Sequence, residues 1–327
     1  MARRPAEGGE TMSRIDILLA TYNGARFLPE QLASLSAQSH YDWRLLVRDD
    51  GSSDNSLAIV REWAKGISQP VEIIEDGRTG LGASLNFATL LEISDAPYFA
   101  CCDQDDVWLP EKLSIMLRAV QSAEDSAGSD MPILAYSDLR VVDGGLNLIA
   151  ESFRDFSRRP RLPRGRELRQ VMMHNAVTGC ASLGNAALRA KALPVPPQAS
   201  MHDWWLGLVA AGLGKLVWVP HATILYRQHG GNTLGANAAD PLSQLRYVAS
   251  NAGEALGRSR KLLVATRRQA GAFVNRYGDA LGEQDRVILQ NYARLGQMSW
   301  ASRKAFFLQN RMLADNALKN MPFFLLA

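Results

Sequence analysis

The sequence predicts an α/β protein: a mostly parallel sheet flanked by helices, with a helical C-terminal extension. Two observations predict the sheet. Short apolar runs bounded by polar residues suit strands buried on both faces, and they alternate with segments of helical period. A third observation, a surplus of arginine after a loop of small residues near Gly230, predicts the extension.

The run Ile15 to Ala20 is the first strand, ended by Thr21-Tyr22-Asn23-Gly24. Leu32 and Leu35 recur at helical spacing between Pro29 and Gln38, and Trp43 to Val47 is the second strand, with Asp49 and Asp50 at its C-terminal end. Gly51 and the helix-capping run Ser52 to Asn55 lead into a helix through about Ala64. Val71 to Ile74 is the third strand, and Leu81, Leu85, Ala88 and Leu91 mark the next helix. Pro97 to Cys102 is a fourth buried strand, running straight into Asp103-Gln104-Asp105-Asp106. A helix follows Trp108 to Lys112, and then come a strand at Ile133 to Tyr136, a turn at Gly144-Gly145 and a basic loop from Arg158 to Arg164. Met201 to Leu213 is a helix and Leu216 to Val219 a strand. Gly230 to Ala239 is the main boundary. The chain therefore divides into a disordered lead at 1–13, a domain at 14–239 and a basic extension of two or three helices at 240–327. Sheets of this kind have right-handed crossovers and bind ligands beyond the carboxyl ends of their strands, where both acidic clusters fall.

Composition excludes several classes. With 327 residues, 47% hydrophobic and 21% charged, the chain buries a substantial core. A net charge of +3 gives no bulk electrostatic case for nucleic-acid binding. After Asp240, 13 basic residues face 5 acidic ones, which leaves −5 for everything before. Cys101, Cys102 and Cys180 cannot all pair, so a reducing, cytoplasmic setting is expected. The polar segment Met1 to Thr11 lacks the apolar stretch of a signal peptide, Met12 is a candidate start, and no apolar run reaches a membrane span.

The chemistry concentrates in a few places. Three carboxylates within Asp103 to Asp106 repel one another unless a cation sits among them, and Mg²⁺ or Mn²⁺ favours such oxygen ligands together with substrate phosphates. A solvated acidic turn is the alternative. Asp49 is placed to accept hydrogen bonds from a nucleobase edge, or else belongs to a turn and helix cap. Asp203, in His202-Asp203-Trp204-Trp205, opens an apolar helix and is either a cap or a partly desolvated general base. His229 lies beside Arg227 in a Gly-rich loop, where imidazole can ligate a metal and guanidinium can hold diphosphate, unless both are surface residues. Thr178-Gly179-Cys180 reads as a pocket floor or a buried structural thiol. Gly80, Gly82 and Asn86 suit a phosphate-binding helix start.

Taken in order, Thr21-Tyr22-Asn23, Asp49 to Asp54, Asp103 to Trp108, Thr178-Gly179-Cys180, His202-Asp203 and Tyr226-Arg227-Gln228-His229 resemble the family 2 glycosyltransferases. Asp103 to Leu113 and His202 to Trp205 are similar to bacterial rhamnosyltransferases of surface-polysaccharide synthesis. The resemblance covers about Ile15 to Gly235 and implies a GT-A fold, with a Rossmann-like sheet. It implies a metal-dependent, inverting hexosyltransferase using Mg²⁺ or Mn²⁺ and a dTDP- or UDP-linked sugar. Asp203 would be the base; Asp105, His229 and Asp103 would hold the metal. Thr21, Tyr22, Asn23, Asp49, Asp50, Gly51, Asn86, Asp103, Gln104 and Arg227 would bind the donor, with Asp49 on the pyrimidine. Gly179, Cys180, His202 and Trp204 would meet the acceptor, a glycan or polyprenyl-linked sugar. Asp106 leaves the metal motif ambiguous by one residue, and His202 stands where many relatives have an acidic residue. The basic tail and Phe323 to Leu326 suit peripheral contact with the inner face of the membrane, or packing on the catalytic domain or a second copy. Two other readings are a nucleotidyltransferase, disfavoured by the absence of a basic glycine-rich phosphate loop, and a non-catalytic nucleotide-sugar-binding protein, disfavoured by the presence of Asp203.

Overall fold

A computed structural model describes residues 13–157, 162, 165, 167–229, 252–310 and 312. The expected disordered lead up to residue 12, most of the basic loop at 158–164, the boundary at 230–239 and the apolar end at 323–326 lie outside the described residues.

The first half follows the predicted alternation: β1 (Ile15–Thr21), α1 (Leu28–Ser36), β2 (Trp43–Asp49), α2 (Ser56–Ala64), β3 (Val71–Ile73), α3 (Gly82–Ile93) and β4 (Tyr98–Cys102). All four strands run parallel in the order β3-β2-β1-β4. The apolar runs of β1, β2 and β4 are buried between covering helices, while β3, at the sheet edge, is partly exposed. Register sets the site: Thr21 pairs with Asp49, and Leu19 pairs with Cys102, the residue before Asp103. Both acidic clusters therefore leave the same edge of the sheet.

The second half comprises β5 (Val107–Trp108), α4 (Lys112–Ala127), β6 (Ile133–Val142), β7 (Leu148–Ala150), α5 (Phe153–Phe156), α6 (Glu167–Met173), β8 (Ser182–Asn185), α7 (Ala186–Ala192), α8 (His202–Leu213) and β9 (Lys215–Arg227). Strands β8, β6, β9 and β5 continue the sheet beyond β4, and β7 pairs with β6. β9 is much longer than the stretch predicted from Leu216 to Val219. Its partner register jumps from Ser137–Val219 to Asp138–Ala222, so Pro220 and His221 form a bulge. Proline, lacking an N–H, is tolerated at such a bulge, and the strand runs on to deliver Arg227 to the sheet edge.

Among the described residues that follow are the helices Ala252–Tyr277, Glu283–Ala293 and Trp300–Gln309. Their apolar faces join one core with α6 and α8. Phe273 meets Trp205 edge-on at 5.7 Å, and a Cβ on Gly212 would stand 2.9 Å from the Phe273 ring. Arg169 pairs with Asp285 at 2.7 Å. Among the described residues no helix is long and apolar enough to cross a membrane.

One buried charge ties the parallel strands together. Asp16, inside β1, accepts hydrogen bonds from Arg44 Nε (3.0 Å) and Nη2 (2.8 Å), Ser94 Oγ (2.8 Å) and the Asp95 and Ala96 amides. Burial opposes the charge, but these donors overcome it and hold the carboxyl below its usual range. A depressed carboxyl pKa contributes stability that is present above the unfolded value, near pH 4, and is lost as pH falls through the folded value. Asp16→Asn is therefore expected to cost about 2–3 kcal/mol at pH 7. Denaturant titrations at several pH values should show the gap to wild type closing below about pH 4.

Candidate active site

The strand ends open into a cleft of about 760 Å³, whose walls include Thr21, Tyr22, Asp50, Gly51, Asn86, Asp103, Gln104, Asp105, Gly179, His202 and Asp203. Residues from Ala20 to Tyr226 thus share one cavity, among them most of the predicted site.

On the β2 side, the Asp49 carboxylate accepts from Thr21 Oγ1 (2.8 Å), Ser52 Oγ (2.5 Å) and the amides of Gly51 (3.0 Å) and Ser52 (2.7 Å). These four donors fix its plane. Asp50, one residue on, accepts from the Leu81 and Gly82 amides at 2.9 and 2.7 Å and so pins the start of α3 to the sheet edge. Gly51 has φ +92°, and a Cβ there would also approach Thr79 Cβ to 2.8 Å. Glycine is required on both counts.

Arg48, fully buried, ties this wall together. It bonds Asp76 through two nitrogens at 3.0 Å each, Asn86 Oδ1 at 3.1 Å and the Arg78 carbonyl at 2.7 Å. Burial opposes its charge, but Asp76 and Asp50 raise its pKa. Arg48 in turn holds the Asp76 carboxyl well below the usual range. Asn86 lines the cleft, but its amide oxygen and nitrogen are both engaged with Arg48, so it supports the wall and leaves ligand contact to its neighbours. Asn23 also departs from the expected donor contact. It adopts φ +50° and binds Ser52 and Ser53, closing the loop away from the cleft.

The acidic cluster sorts its members by depth. Gln104 clamps the Tyr22 backbone with two hydrogen bonds (2.8 and 3.0 Å). Asp105 lines the cleft, its Oδ2 at 2.9 Å from His229 Nε2, while the His229 ring stacks on Phe27. Asp106 points inward: it is fully buried, accepts from the Arg227 amide at 3.1 Å, and lies with Asp103 beside the Cys180 thiol. Of the two carboxylates that the motif leaves open, Asp105 faces the cleft and Asp106 lies beneath it. Burial, then Asp105 and Asp203, push the Asp103 carboxyl up to about 7, and burial, then Asp105 and Asp103, pushes the Asp106 carboxyl well up. Arg227 is buried beside the cluster, and so is Lys112, whose Nζ donates to the Cys180 carbonyl at 2.7 Å over the Trp108 ring. Burial pushes it down to about 8. The Asp105 carboxylate and the His229 imidazole at 2.9 Å offer one pair of ligands suited to a divalent cation, and Asp103, Asp106 and Cys180, whose ligand atoms lie within 4.8 Å of one another, form a second group that could hold one.

Two expectations fail here. Arg227 does not face the cleft: its guanidinium bonds the Asp105 carbonyl (2.8 Å), the Gly144 carbonyl (2.7 Å) and Glu30, and it is 1% exposed. Cys180 is fully buried beneath the cluster and does not line the cleft.

Asp203 closes the opposite wall. Its Oδ1 accepts from Asn175 Nδ2 (3.0 Å) and the Trp204 amide (2.6 Å), and its Oδ2 from the Gly179 amide (3.0 Å). A Cβ on Gly179 would come within 3.0 Å of His202 Nε2 and 3.3 Å of Asp203 Cβ. His202 stacks on Phe87 at 4.1 Å, and burial pushes its pKa down, leaving a neutral ring. Trp204 turns away from this cleft and donates its indole N–H to the Val171 carbonyl.

Arg48, Asp76, Lys112 and Asn175 belong to the site and were missed from sequence. Only Arg48 left a signal, a charge directly after the apolar run Leu45 to Val47.

Comparison with known proteins agrees with this geometry. The family model described as glycosyl transferase family 2 matches residues 16–193. A glycosyltransferase of Nostoc, described as uncharacterised, is 26% identical over 227 residues, covering 67% of this chain and 66% of that protein. The dTDP-rhamnosyl transferase RfbG of Shigella flexneri is 26% identical over 232 residues, covering 67% and 74%. Among solved structures, S. aureus TarS in complex with UDP-GlcNAc superposes with a TM-score of 0.56 at 14% identity, over 95% of this chain and 78% of that one. The fold is GT-A, and the chain belongs to glycosyl transferase family 2.

Proposed function

We propose that this chain is an inverting, metal-dependent glycosyltransferase that moves a hexose, rhamnose foremost, from a dTDP- or UDP-linked donor to a hydroxyl of a glycan or polyprenyl-linked acceptor in surface-polysaccharide synthesis. One observation carries the reading: Asp105, paired with His229, and Asp203 line the same cleft although each comes from a different part of the chain.

Thr21, Tyr22 and Gly51 border the nucleoside, and Asp49, just behind the cleft wall, takes the pyrimidine N–H when the Thr21 or Ser52 hydroxyl gives up its bond to it. Asp105, His229 and Asp103 would hold Mg²⁺ or Mn²⁺, which supplies charge neutralisation at the diphosphate leaving group. Asp203 takes the proton from the acceptor hydroxyl as its oxygen bonds to the anomeric carbon. The bond from that carbon to the diphosphate breaks on the opposite side, which inverts the centre. Asn175 and Gly179 hold the Asp203 carboxylate in place for that transfer, and neutral His202 adds no charge beside it.

The domain at 14–239 carries this chemistry, and the extension at 240–327 brings it to the cytoplasmic face of the membrane. Exposed Trp300 and Leu308, on a helix with Arg303 and Lys304, support peripheral contact.

A panel of dTDP-, UDP- and GDP-sugars with and without Mn²⁺ tests the reading. One donor should release nucleoside diphosphate and raise the thermal midpoint only with metal. Formation of nucleotide sugar from nucleoside triphosphate and sugar phosphate would instead establish nucleotidyl transfer.

A further inference from the structure

Asp105 and His229 are backed by a side chain that belongs to no motif. Phe27 immediately precedes α1 and is 9% exposed. Its N–H donates to the Gly24 carbonyl at 3.0 Å, and its own carbonyl accepts from the Glu30 and Gln31 amides at 3.2 Å each. The Gly24 amide is fixed in turn by Ser56 Oγ at 2.8 Å. On this anchored backbone the ring meets two partners. The His229 ring stacks on it, with centroids 4.5 Å apart and planes inclined by 30°, and the Arg227 guanidinium lies over it at 4.7 Å.

These contacts form a closed circuit around Asp105. Arg227 Nε donates to the Asp105 carbonyl at 2.8 Å, its Nη1 to the Gly144 carbonyl at 2.7 Å, and its Nη2 bonds Glu30. Glu30 stands three residues after Phe27, so one face of the first turn of α1 presents both groups to Arg227. His229 Nε2 lies 2.9 Å from Asp105 Oδ2. From Phe27, one path therefore leads through His229 to the Asp105 carboxylate, and the other through Arg227 to the Asp105 main chain. Neither Phe27 nor Arg227 lines the cleft. They act on a ligand there only through Asp105 and its partner.

An imidazole just past a strand end is free at two side-chain torsions, and freezing them when an ion binds costs conformational entropy. A ring fixed beforehand avoids that cost. Any apolar side chain could fill the space under α1, but only a flat ring sets the plane of another ring and also takes a guanidinium on its face. We propose that Phe27 and Arg227 are positioning residues for the metal pair: Phe27 sets the plane of the His229 ring, and Arg227 fixes the Asp105 main chain and holds Phe27 in register with it. The proposal rests on the reading of Asp105 and His229 as ligands of a divalent cation.

Mn²⁺ titrations of the full chain, followed by the EPR signal of the free ion with saturating dTDP or UDP and against nucleotide alone, test it. Phe27→Leu keeps an apolar side chain and loses the stack, and is expected to weaken Mn²⁺ binding about 10–100-fold, the scale of losing a group that orients a metal ligand. Nucleotide affinity without metal should not change. Phe27→Tyr, which keeps the ring, should return Mn²⁺ affinity to within about threefold of wild type. Leu289→Ala, a cavity in the core beneath the C-terminal helices, lowers the thermal midpoint without touching the pair and should bind Mn²⁺ as wild type does. Should Phe27→Leu not fold, Arg227→Lys takes its place, since an ammonium keeps the charge but cannot reproduce the rigid fork of donors. Wild-type Mn²⁺ affinity in the variant that folds overturns the proposal. So does a Phe27→Tyr protein as weak as Phe27→Leu, or an equal loss in Leu289→Ala. Wild-type protein that takes up no Mn²⁺ with either nucleotide is a different failure, that of Asp105 and His229 as ligands, and removes the proposal with it.

Discussion

Asp203→Asn is expected to lower sugar transfer by about 10²–10⁴ while leaving nucleoside diphosphate affinity unchanged. The substitution keeps the shape of the side chain and removes its capacity to take a proton. Two of its three donors come from outside α8, Asn175 and Gly179. An amide can accept from one of them but must turn its NH₂ on the other, so the thermal midpoint should also fall slightly, by the equivalent of about 1–2 kcal/mol. The donor cleft on the β1–β2 side does not depend on this residue. Steady-state turnover and calorimetric titration of dTDP or UDP separate the two effects. Equal loss of turnover and of nucleotide affinity would show that Asp203 supports the cleft as a whole and is not the base.

Asp105→Ala is expected to abolish the metal dependence of nucleotide binding and to lower transfer by about 10³-fold, the scale of losing several kcal/mol of charge stabilisation at a leaving group. Its neighbour gives the contrast. Asp106 is turned inward against the Arg227 amide, so Asp106→Asn should retain the Mn²⁺-dependent thermal shift with dTDP or UDP. The same pair of measurements on both variants decides the matter. A metal response that survives in Asp105→Ala and disappears in Asp106→Asn would reverse the assignment.

Most of the parallel half of the fold was legible in the sequence, because its signals are local. Ile15 to Ala20, Trp43 to Val47 and Pro97 to Cys102 are too apolar to face water and too short for helices, and each lies within a residue or two of an observed strand. Register could then be anticipated in outcome, since parallel strands linked by helices deliver their carboxyl ends to one edge. The second half was harder to read. β5 and β7 are two and three residues long, β8 pairs antiparallel between β4 and β6, and none carries a period that a short window can detect. β9 runs well past the predicted Leu216 to Val219, because the bulge opposite Ser137 and Asp138 accommodates Pro220 and lets the strand continue.

Side-chain roles divide along the same line. The sequence by itself determined which residue types gather at the strand ends: the Asp103 to Asp106 cluster, the Asp49-Asp50-Gly51 turn and Asp203 at the head of α8, each defined by near neighbours in the chain. The tertiary structure decided which of them face the cavity. Adjacent residues leave a strand end in different directions, so Asp105 reaches His229 in the cleft while Asp106 is buried under it. Arg227 and Cys180 turn inward because Glu30, Asp105, Gly144 and the buried carboxylates meet them there. The stack of His229 on Phe27, which joins the start of α1 to the end of β9, exists only once those distant segments have packed together.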